Sequence, residues 1–259
     1  FKKKHENKTR KIFQIARAAG IFQINNIIIY KDGREFENDS KLLSTILRYL
    51  ETPQHFRKRL YPKSGLLQFV GALSPIKMPN QGGTSDAKQV KKDDIREGVI
   101  FPKEGRKFID LGIDYSVPYH GKKDIGKRTI VKIKDTFPNF TVYDIEKNQI
   151  PKFWSYNVKH GGNLFSLLSE WKGPKILTSR KSKKIKEEDM QKILSSKEEI
   201  LVVFGTTDKG IHEMLDKKIN NIQNFKAWNF FAHQGTETVR LEEAILGCLS
   251  IINAQAFNR

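Results

Sequence analysis

From residue 163 onward, short apolar runs alternate with stretches of helical periodicity. The spacing predicts helix over 163–171, strand over 175–178, helix over 187–194 and strand over 200–204. It continues with helix over 210–217, strand over 227–231 and helix over 237–253. Such alternation calls for a parallel sheet with helices on its faces, because each parallel connection needs a crossover long enough to hold a helix. The first 75 residues have the same texture. Ile12, Ile15, Ala16 and Ala19 recur at helical spacing up to Gly20. Ile27, Ile28, Ile29 and Tyr30 read as a buried strand closed by a turn at Asp32 and Gly33. Asp39 or Ser40 can cap a second helix carrying Leu42, Leu43, Ile46, Leu47 and Leu50, and Pro53 permits a short basic helix over 54–60.

The stretch PIKMPNQGGTSD, at 75–86, reads as a linker. Beyond it the texture changes. Short β-prone pieces at 98–100, 107–111, 116–119, 128–134 and 140–145 are separated by Gly105, Gly112, Gly121, Gly126 and Pro138. Five short strands in so small a span suit an OB-like β-barrel better than βα repeats. The expected organisation is therefore one α/β domain, residues 1–78 and 155–259, split by a barrel at 86–152.

Charge is segregated along the chain. Residues 201–259 hold six basic and six acidic side chains, so the whole net charge of +18 lies in the first 200 residues. A basic body beside a neutral end suggests a polyanion surface next to a separate site for something smaller. A hydrophobic content of 38% excludes wholesale disorder. No apolar run reaches the roughly 18 residues that a spanning helix needs, so no membrane partner is expected. The stretch FKKKHENKTRKIF has a charged head without an apolar stretch behind it, and does not read as a secretory signal. One cysteine, Cys248, argues against a disulfide framework or a cysteine-rich metal site; no metal is expected, and the cytoplasm is the simplest compartment.

Three strand ends could carry chemistry, since ligands of open parallel sheets sit at the carboxyl ends of the strands. The first is Thr178, Ser179 and Arg180; the second runs from Phe204 through Gly205, Thr206, Thr207 and Asp208 to Gly210; the third runs from His233 to Arg240. Glycine permits close backbone approach, and Thr, Ser and Gln supply short hydrogen-bonding groups. Such residues are also what structural turns contain. None of the three fits a known nucleotide fingerprint.

In this order, with the motifs around them, the turns form a wider pattern. The stretch HQGTETVR at 233–240 followed by LEEAIL at 241–246 is close to the signature QGTETVRTEEAIL, and QIARAA at 14–19, YLETPQ at 49–54, RKRLYP at 57–62 and REGV at 96–99 accompany it. The chain thereby resembles the SPOUT superfamily of trefoil-knot, S-adenosylmethionine-dependent RNA methyltransferases, in its archaeal and eukaryotic branch with an OB-like insertion. The resemblance covers almost the whole chain. It implies an α/β trefoil knot with a cofactor held among the three knot turns. The residues that it assigns to the cofactor are Thr178 and Ser179; Phe204, Gly205, Thr206 and Gly210; and His233, Gln234, Gly235, Thr236, Glu237 and Thr238. It also implies a homodimer formed through the knot region. The chain departs from the family pattern at Asn80 and Gln81, where His-His is common, in the first turn, which lacks the usual glycine, and at Thr206 and Thr207, where Ser-Pro is common.

Methyl transfer from a sulfonium is an in-line displacement that needs an aligned acceptor, often helped to lose a proton. Arg180 and Arg240 are candidates to hold a phosphate or favour an ionised acceptor, and Glu237 to act as a base or meet the cofactor's ammonium. A salt bridge of Arg240 with Glu237 or Glu243, and a simple helix-start role for Glu237, account for these residues equally well. For RNA the candidates are Arg57, Lys58 and Arg59, then Lys122, Lys123, Lys127 and Arg128. Tyr115, Tyr119 and Phe140 are either stacking faces or barrel core. The expected activity is methylation of structured RNA, with ribosomal RNA as the expected substrate. The alternative is a non-catalytic relative of the same fold that is a stable rRNA-binding component of the ribosome.

Overall fold

The structure, a computed structural model, describes residues 2–31, 36–206 and 209–257. The expected turn at Asp32 and Gly33, and Thr207 and Asp208 of the second strand end, lie outside the described residues. Two compact units are present. The first comprises Phe1–Leu47, Phe69–Leu73 and Asn157–Arg259; the second comprises Arg48–Gln68 and Ser74–Tyr156.

The first unit is built on parallel strands. Helix α1 (Lys2–Ile21) leads to β1 (Asn26–Lys31), and α2 (Phe36–Glu51) follows. The chain re-enters this unit at β7 (Asn157–Asn163), which pairs in parallel with β1. Then come α4 (Leu164–Glu170), β8 (Lys175–Thr178), α5 (Glu187–Leu194), β9 (Leu201–Val203), α6 (Ile211–Leu215), β10 (Phe225–Trp228) and α7 (Leu241–Phe257). Strand β8 lies between β10 and β9, parallel to both. Its Ile176 and Leu177 are fully buried and face opposite sides, one toward Met190, Ile193 and Trp228, the other toward Leu164, Leu168, Ile211 and Leu215. Such two-sided burial explains the adjacent apolar pair at the centre of this strand.

Several expectations move by a few residues, with identifiable causes. Helix α2 begins at Phe36, before the caps expected at Asp39 or Ser40; Glu37 and Asp39 instead occupy its first turn, where their charge suits the helix start. Helix α7 begins at Leu241 rather than at 237, because the Glu243 carboxylate accepts from the Arg240 N–H at 2.9 Å and fixes the start there. The signature at 233–240 is therefore loop, and Glu237 is not in the helix. Strand β7 was not expected: NVKHGGN offers neither alternation nor an apolar run.

The second unit holds α3 (Gln54–Leu60) and a five-stranded antiparallel sheet. Its strands are β2 (Ile95–Lys103), β3 (Arg106–Asp110), β4 (Val117–Pro118), β5 (Arg128–Asp135) and β6 (Thr141–Ile145), in the order β4-β3-β2-β5-β6. Ile100, Ile109, Val117, Tyr119, Val131, Ile133 and Phe140 fill its core. Two of the three candidate stacking aromatics, Tyr119 and Phe140, are thus core residues. Gly98 is required by packing, since a Cβ there would meet the Ile109 side chain at 2.4 Å.

The stretch read as a linker is a packed element. Asn80 is buried and donates to the Glu51 carboxylate at 3.0 Å and carbonyl at 2.9 Å, while Gln81 donates to the carbonyls of Leu50 at 2.7 Å and Glu51 at 3.0 Å. These are last-turn carbonyls of α2, which have no partner within their helix. Arg57 serves the same end, donating to the carbonyls of Leu50 and Thr52 with its guanidinium over the Tyr49 ring.

Arg128 joins this assembly. It donates to both oxygens of Glu51 at 2.7 and 2.9 Å, to Thr52 Oγ1 at 3.2 Å and, through Nε and a terminal nitrogen, to Glu97. Trp154 Nε1 donates to the other Glu97 oxygen at 2.8 Å. Burial works against the Arg128 charge, but the two carboxylates outweigh it and raise its pKa. Glu97 is held above the ordinary carboxylate value, chiefly by burial and further by repulsion from Glu51, because one guanidinium cannot compensate two carboxylates.

Replacing Arg128 with Ala leaves two carboxylates without their cation and should cost about 3–5 kcal/mol in urea unfolding. Glu97→Gln should cost less than about 1.5 kcal/mol, since an acceptor for Trp154 remains. The native Glu97 carboxyl titrates above the unfolded one, so its contribution to stability is complete below pH 4.5 and fades as pH rises through the native value. The stability gap between wild type and Glu97→Gln should therefore change in the wild type's favour as pH falls toward 4.5; a pH-independent gap would refute this.

Candidate functional site

Because β8, β9 and β10 are parallel, their carboxyl ends share one edge of the sheet. Side chains and loop amides tie these ends together. Thr178 Oγ1 donates to the Val203 carbonyl at 2.9 Å, and the Ser179 N–H to the Trp228 carbonyl at 2.9 Å. Asn229, directly after β10, donates from its N–H to the Lys183 carbonyl at 2.8 Å and from its amide to the Arg180 carbonyl at 3.0 Å. Tyr30, at the end of β1, donates to the Phe204 carbonyl at 2.6 Å.

Against this edge lies a cavity of about 390 Å³. Thr178, Ser179 and Arg180 line it from the first turn; Phe204, Gly205, Thr206 and Gly210 from the second; and Gln234, Thr238 and Arg240 from the third. Three chain segments far apart in sequence thus meet at one concave site. His233, Gly235, Thr236 and Glu237 are not among the lining residues. His233 Nε2 instead lies 2.9 Å from Lys184 Nζ, an ammonium donating to an imidazole nitrogen. Glu237 contributes its carbonyl, which accepts from the Arg180 guanidinium and from the Gln234 amide at 3.2 Å. Arg240 has no carboxylate bridge to Glu237 or Glu243 among the described ion pairs; only its backbone engages Glu243.

The sequence did not reveal Lys11, His212, Glu213, Phe230, Phe231 or Glu242, which also line the cavity. Lys11 comes from α1, brought there by the packing of α1 on α7, and its ammonium lies 3.4 Å from the buried Glu242 carboxylate. No local signal marks such a residue. Phe231 had one: a Cβ on Gly247 would meet its ring at 2.6 Å, so a glycine in the middle of α7 leaves room for an aromatic side chain. Glu213 pairs with Lys181 and accepts from the Gly210 N–H, and the Lys181 hydrogen bond holds its carboxyl below the ordinary value. Ser182 Oγ lies 2.9 Å from His212 Nε2. Cys248 touches the cavity wall, but burial pushes its thiol up to about 12, which keeps it protonated and unreactive at neutral pH.

Lys11, Arg180, Lys181, Lys209 and Arg240 outnumber Glu213 and Glu242 on the lining, so the mouth carries positive charge while Phe204, Phe230 and Phe231 supply apolar faces. That combination suits a planar, partly apolar ligand next to an anionic one. The RNA candidates lie in the second unit. Lys58, Lys122 and Lys127 are exposed and Lys123 is partly buried. Arg59 pairs with Asp110 at 3.3 Å and lies over the Phe101 ring. Arg57 and Arg128, by contrast, have their guanidinium groups committed inside the unit, for the reasons given above.

Comparison with known proteins points the same way. A family model described as "Putative RNA methyltransferase" matches residues 2–252. An uncharacterized protein of Halobacterium salinarum is 25% identical, covering 93% of this chain and 90% of its own length. The 28S rRNA (uridine-N(3))-methyltransferase of Mus musculus is 27% identical over 92% of this chain and 69% of its own, and that of Homo sapiens 25% identical over 92% and 71%. With its cavity at the carboxyl edge of a parallel sheet and a family match along nearly its whole length, the chain belongs to this family of RNA methyltransferases.

Proposed function

We propose that this protein transfers a methyl group from S-adenosylmethionine to ribosomal RNA in the cytoplasm, with N3 of a uridine as acceptor. The observation that carries the reading is the convergence of the three strand-end turns on one cavity. The relatives' names supply the acceptor class. The finer architecture belongs to the same proposal: the first unit is a SPOUT-type trefoil knot that pairs with a second copy through the knot region, and the antiparallel sheet of the second unit is an OB-like insertion at about 86–152.

The cavity fits such a cofactor in size, since small-molecule sites run from about 300 to 1,000 Å³. It fits in chemistry as well. Phe204, Phe230 and Phe231 offer apolar faces for a purine, and Thr178, Thr206 and Gln234 offer hydroxyl and amide groups for a ribose and an amino acid moiety. When bound, S-adenosylmethionine supplies the methyl group. The chain's own part is to align and to polarise. Arg180 and Arg240 put positive charge at the mouth, which favours the ionised form of an acceptor whose N3–H must lose its proton. Lys209 extends that charge toward a phosphate of the substrate strand, while Lys11 and Lys181 are paired with Glu242 and Glu213. Glu237 serves as a carbonyl anchor for Arg180 in this reading, rather than as a base.

Calorimetry should detect S-adenosylmethionine binding by the wild-type chain. Gly247→Ala should weaken that binding by about tenfold or more, since the new methyl displaces the Phe231 ring from the wall. A folded wild type that binds no S-adenosylmethionine would remove the enzyme reading and leave the rRNA-binding alternative. Mass spectrometry of rRNA from cells with and without the protein should show one uridine position losing its N3-methyl.

The second unit contributes RNA affinity in this proposal. Lys122, Lys123 and Lys127 are its phosphate contacts; Arg128 is left out because its charge is used on Glu51 and Glu97. Changing the three lysines to Ala should flatten the dependence of log affinity on log salt by roughly two to three units. Affinity for S-adenosylmethionine should stay as in wild type, and an unchanged salt slope would send the RNA path elsewhere.

A further inference from the structure

We propose that the groove at the β5–β6 hairpin is a base-stacking site for single-stranded RNA, with Phe137 as its platform; this rests on the RNA-binding role given to the second unit. The groove measures about 540 Å³ and is lined by Lys92, Lys134, Thr136, Phe137, Pro138 and Asn139, with Asp135 and Thr141 at its edge. Phe137 is 42% exposed at the hairpin tip. A single exposed apolar side chain needs no explanation by itself. This one, however, is held in place. Tyr115 packs edge-on against it, with ring centroids 5.8 Å apart and planes at 83°. Tyr115 in turn packs on Phe140 at 5.4 Å and donates to the Pro138 carbonyl at 3.1 Å. Phe140 is buried in the sheet core, so the exposed ring is braced by a chain of aromatic contacts that ends in the core. A platform fixed in advance loses little side-chain entropy when a ligand stacks on it.

The charges around it select the ligand. Lys88 Nζ lies over the Phe137 ring, 5.9 Å from its centroid, on an exposed side chain that a base can displace toward its own phosphate. Lys92 and Lys134 line the groove and are exposed. The nearby carboxylates do not cancel this charge: Asp93 pairs with Lys132 at 2.8 Å, and the single charge of Asp135, which accepts from Thr141 Oγ1, is outnumbered by Lys88, Lys92 and Lys134. An aromatic face among lysines in excess over carboxylates is what single-stranded nucleic acids require, because every base has a π-face and every linkage a charge. A protein partner fits less well, since interface centres are depleted in lysine. A duplex keeps its base faces covered.

The test uses the full chain, a fluorescent single-stranded oligouridine of about 10 nucleotides and a duplex of equal length, read by anisotropy. Phe137→Ala should weaken single-strand binding by about 5- to 100-fold, the worth of one stacked base, with little change on the duplex. The salt slope and the S-adenosylmethionine affinity should stay as in wild type, since no phosphate contact is lost. Phe137→Trp should keep the affinity, and its added emission should be quenched by the oligonucleotide. Equal single-strand binding by Phe137→Ala and wild type overturns the stacking site alone. So does an equal loss on strand and duplex, which would mark a structural role. A wild type that binds neither RNA overturns the stacking site together with the RNA-binding reading beneath it.

Discussion

The parallel pairing of β8 with a neighbour on each side is the constraint on which the rest depends. Parallel strands share a direction, so β8, β9 and β10 must deliver their carboxyl ends to one edge however far apart they lie in sequence. The ladder alone would leave those ends to diverge as loops. Here it is extended past the strands: Thr178 reaches the Val203 carbonyl, Ser179 the Trp228 carbonyl and Asn229 the Lys183 carbonyl. Each bond is worth only about 1 kcal/mol net, yet each removes freedom from a turn that lines the cavity. A concave site follows from the topology, from the Thr178 hydroxyl at the last residue of β8 and from backbone amides one residue beyond β8 and β10.

The distribution of positive charge needs the same attention to partners. Net charge of +18 describes the field around the chain, not the location of a binding surface. Arg128 stands in a run of basic residues and looks like one more phosphate ligand in sequence. In the structure all five of its donors serve the Glu51, Glu97 and Thr52 cluster, while the compact ammonium groups of Lys122 and Lys127 remain in solvent. The planar guanidinium can satisfy two carboxylates at once, which a lysine cannot. Arginine therefore holds this unit together, and lysine carries its outward charge.

Much of the first unit was legible because its strands are buried on both sides and its helices are amphipathic. Strand β8 and helix α5 fall where periodicity puts them. Strand β7 was not legible, since it is specified by its partner β1 rather than by its own residues. The packed stretch around Asn80 misled for a related reason: proline and glycine mark a turn, but not that its amides would satisfy carbonyls of α2. At the candidate site, the strand-end residues were legible because chemistry there follows chain direction. Lys11 and Glu242 were not, because what puts them on the cavity is the docking of α1 on α7, a contact between residues more than 200 positions apart.

Arg180 shows how the site can keep a charge without neutralising it. Its guanidinium donates to the Glu237 carbonyl, and its own carbonyl accepts from Asn229. Both partners are neutral, so the side chain is oriented while its full positive charge remains at the cavity mouth. A carboxylate in place of that carbonyl would hold the arginine as well, but would cancel the field that an anionic substrate meets. The same bond restrains the third turn, in which Gln234 also donates to the carbonyls of Thr236 and Glu237 and no regular structure runs from Phe230 to Arg240. This third turn is thus ordered by hydrogen bonds to neutral carbonyls. Those bonds leave the Arg180 charge free to act on what enters the cavity, whereas Lys11 and Lys181 face the carboxylates of Glu242 and Glu213.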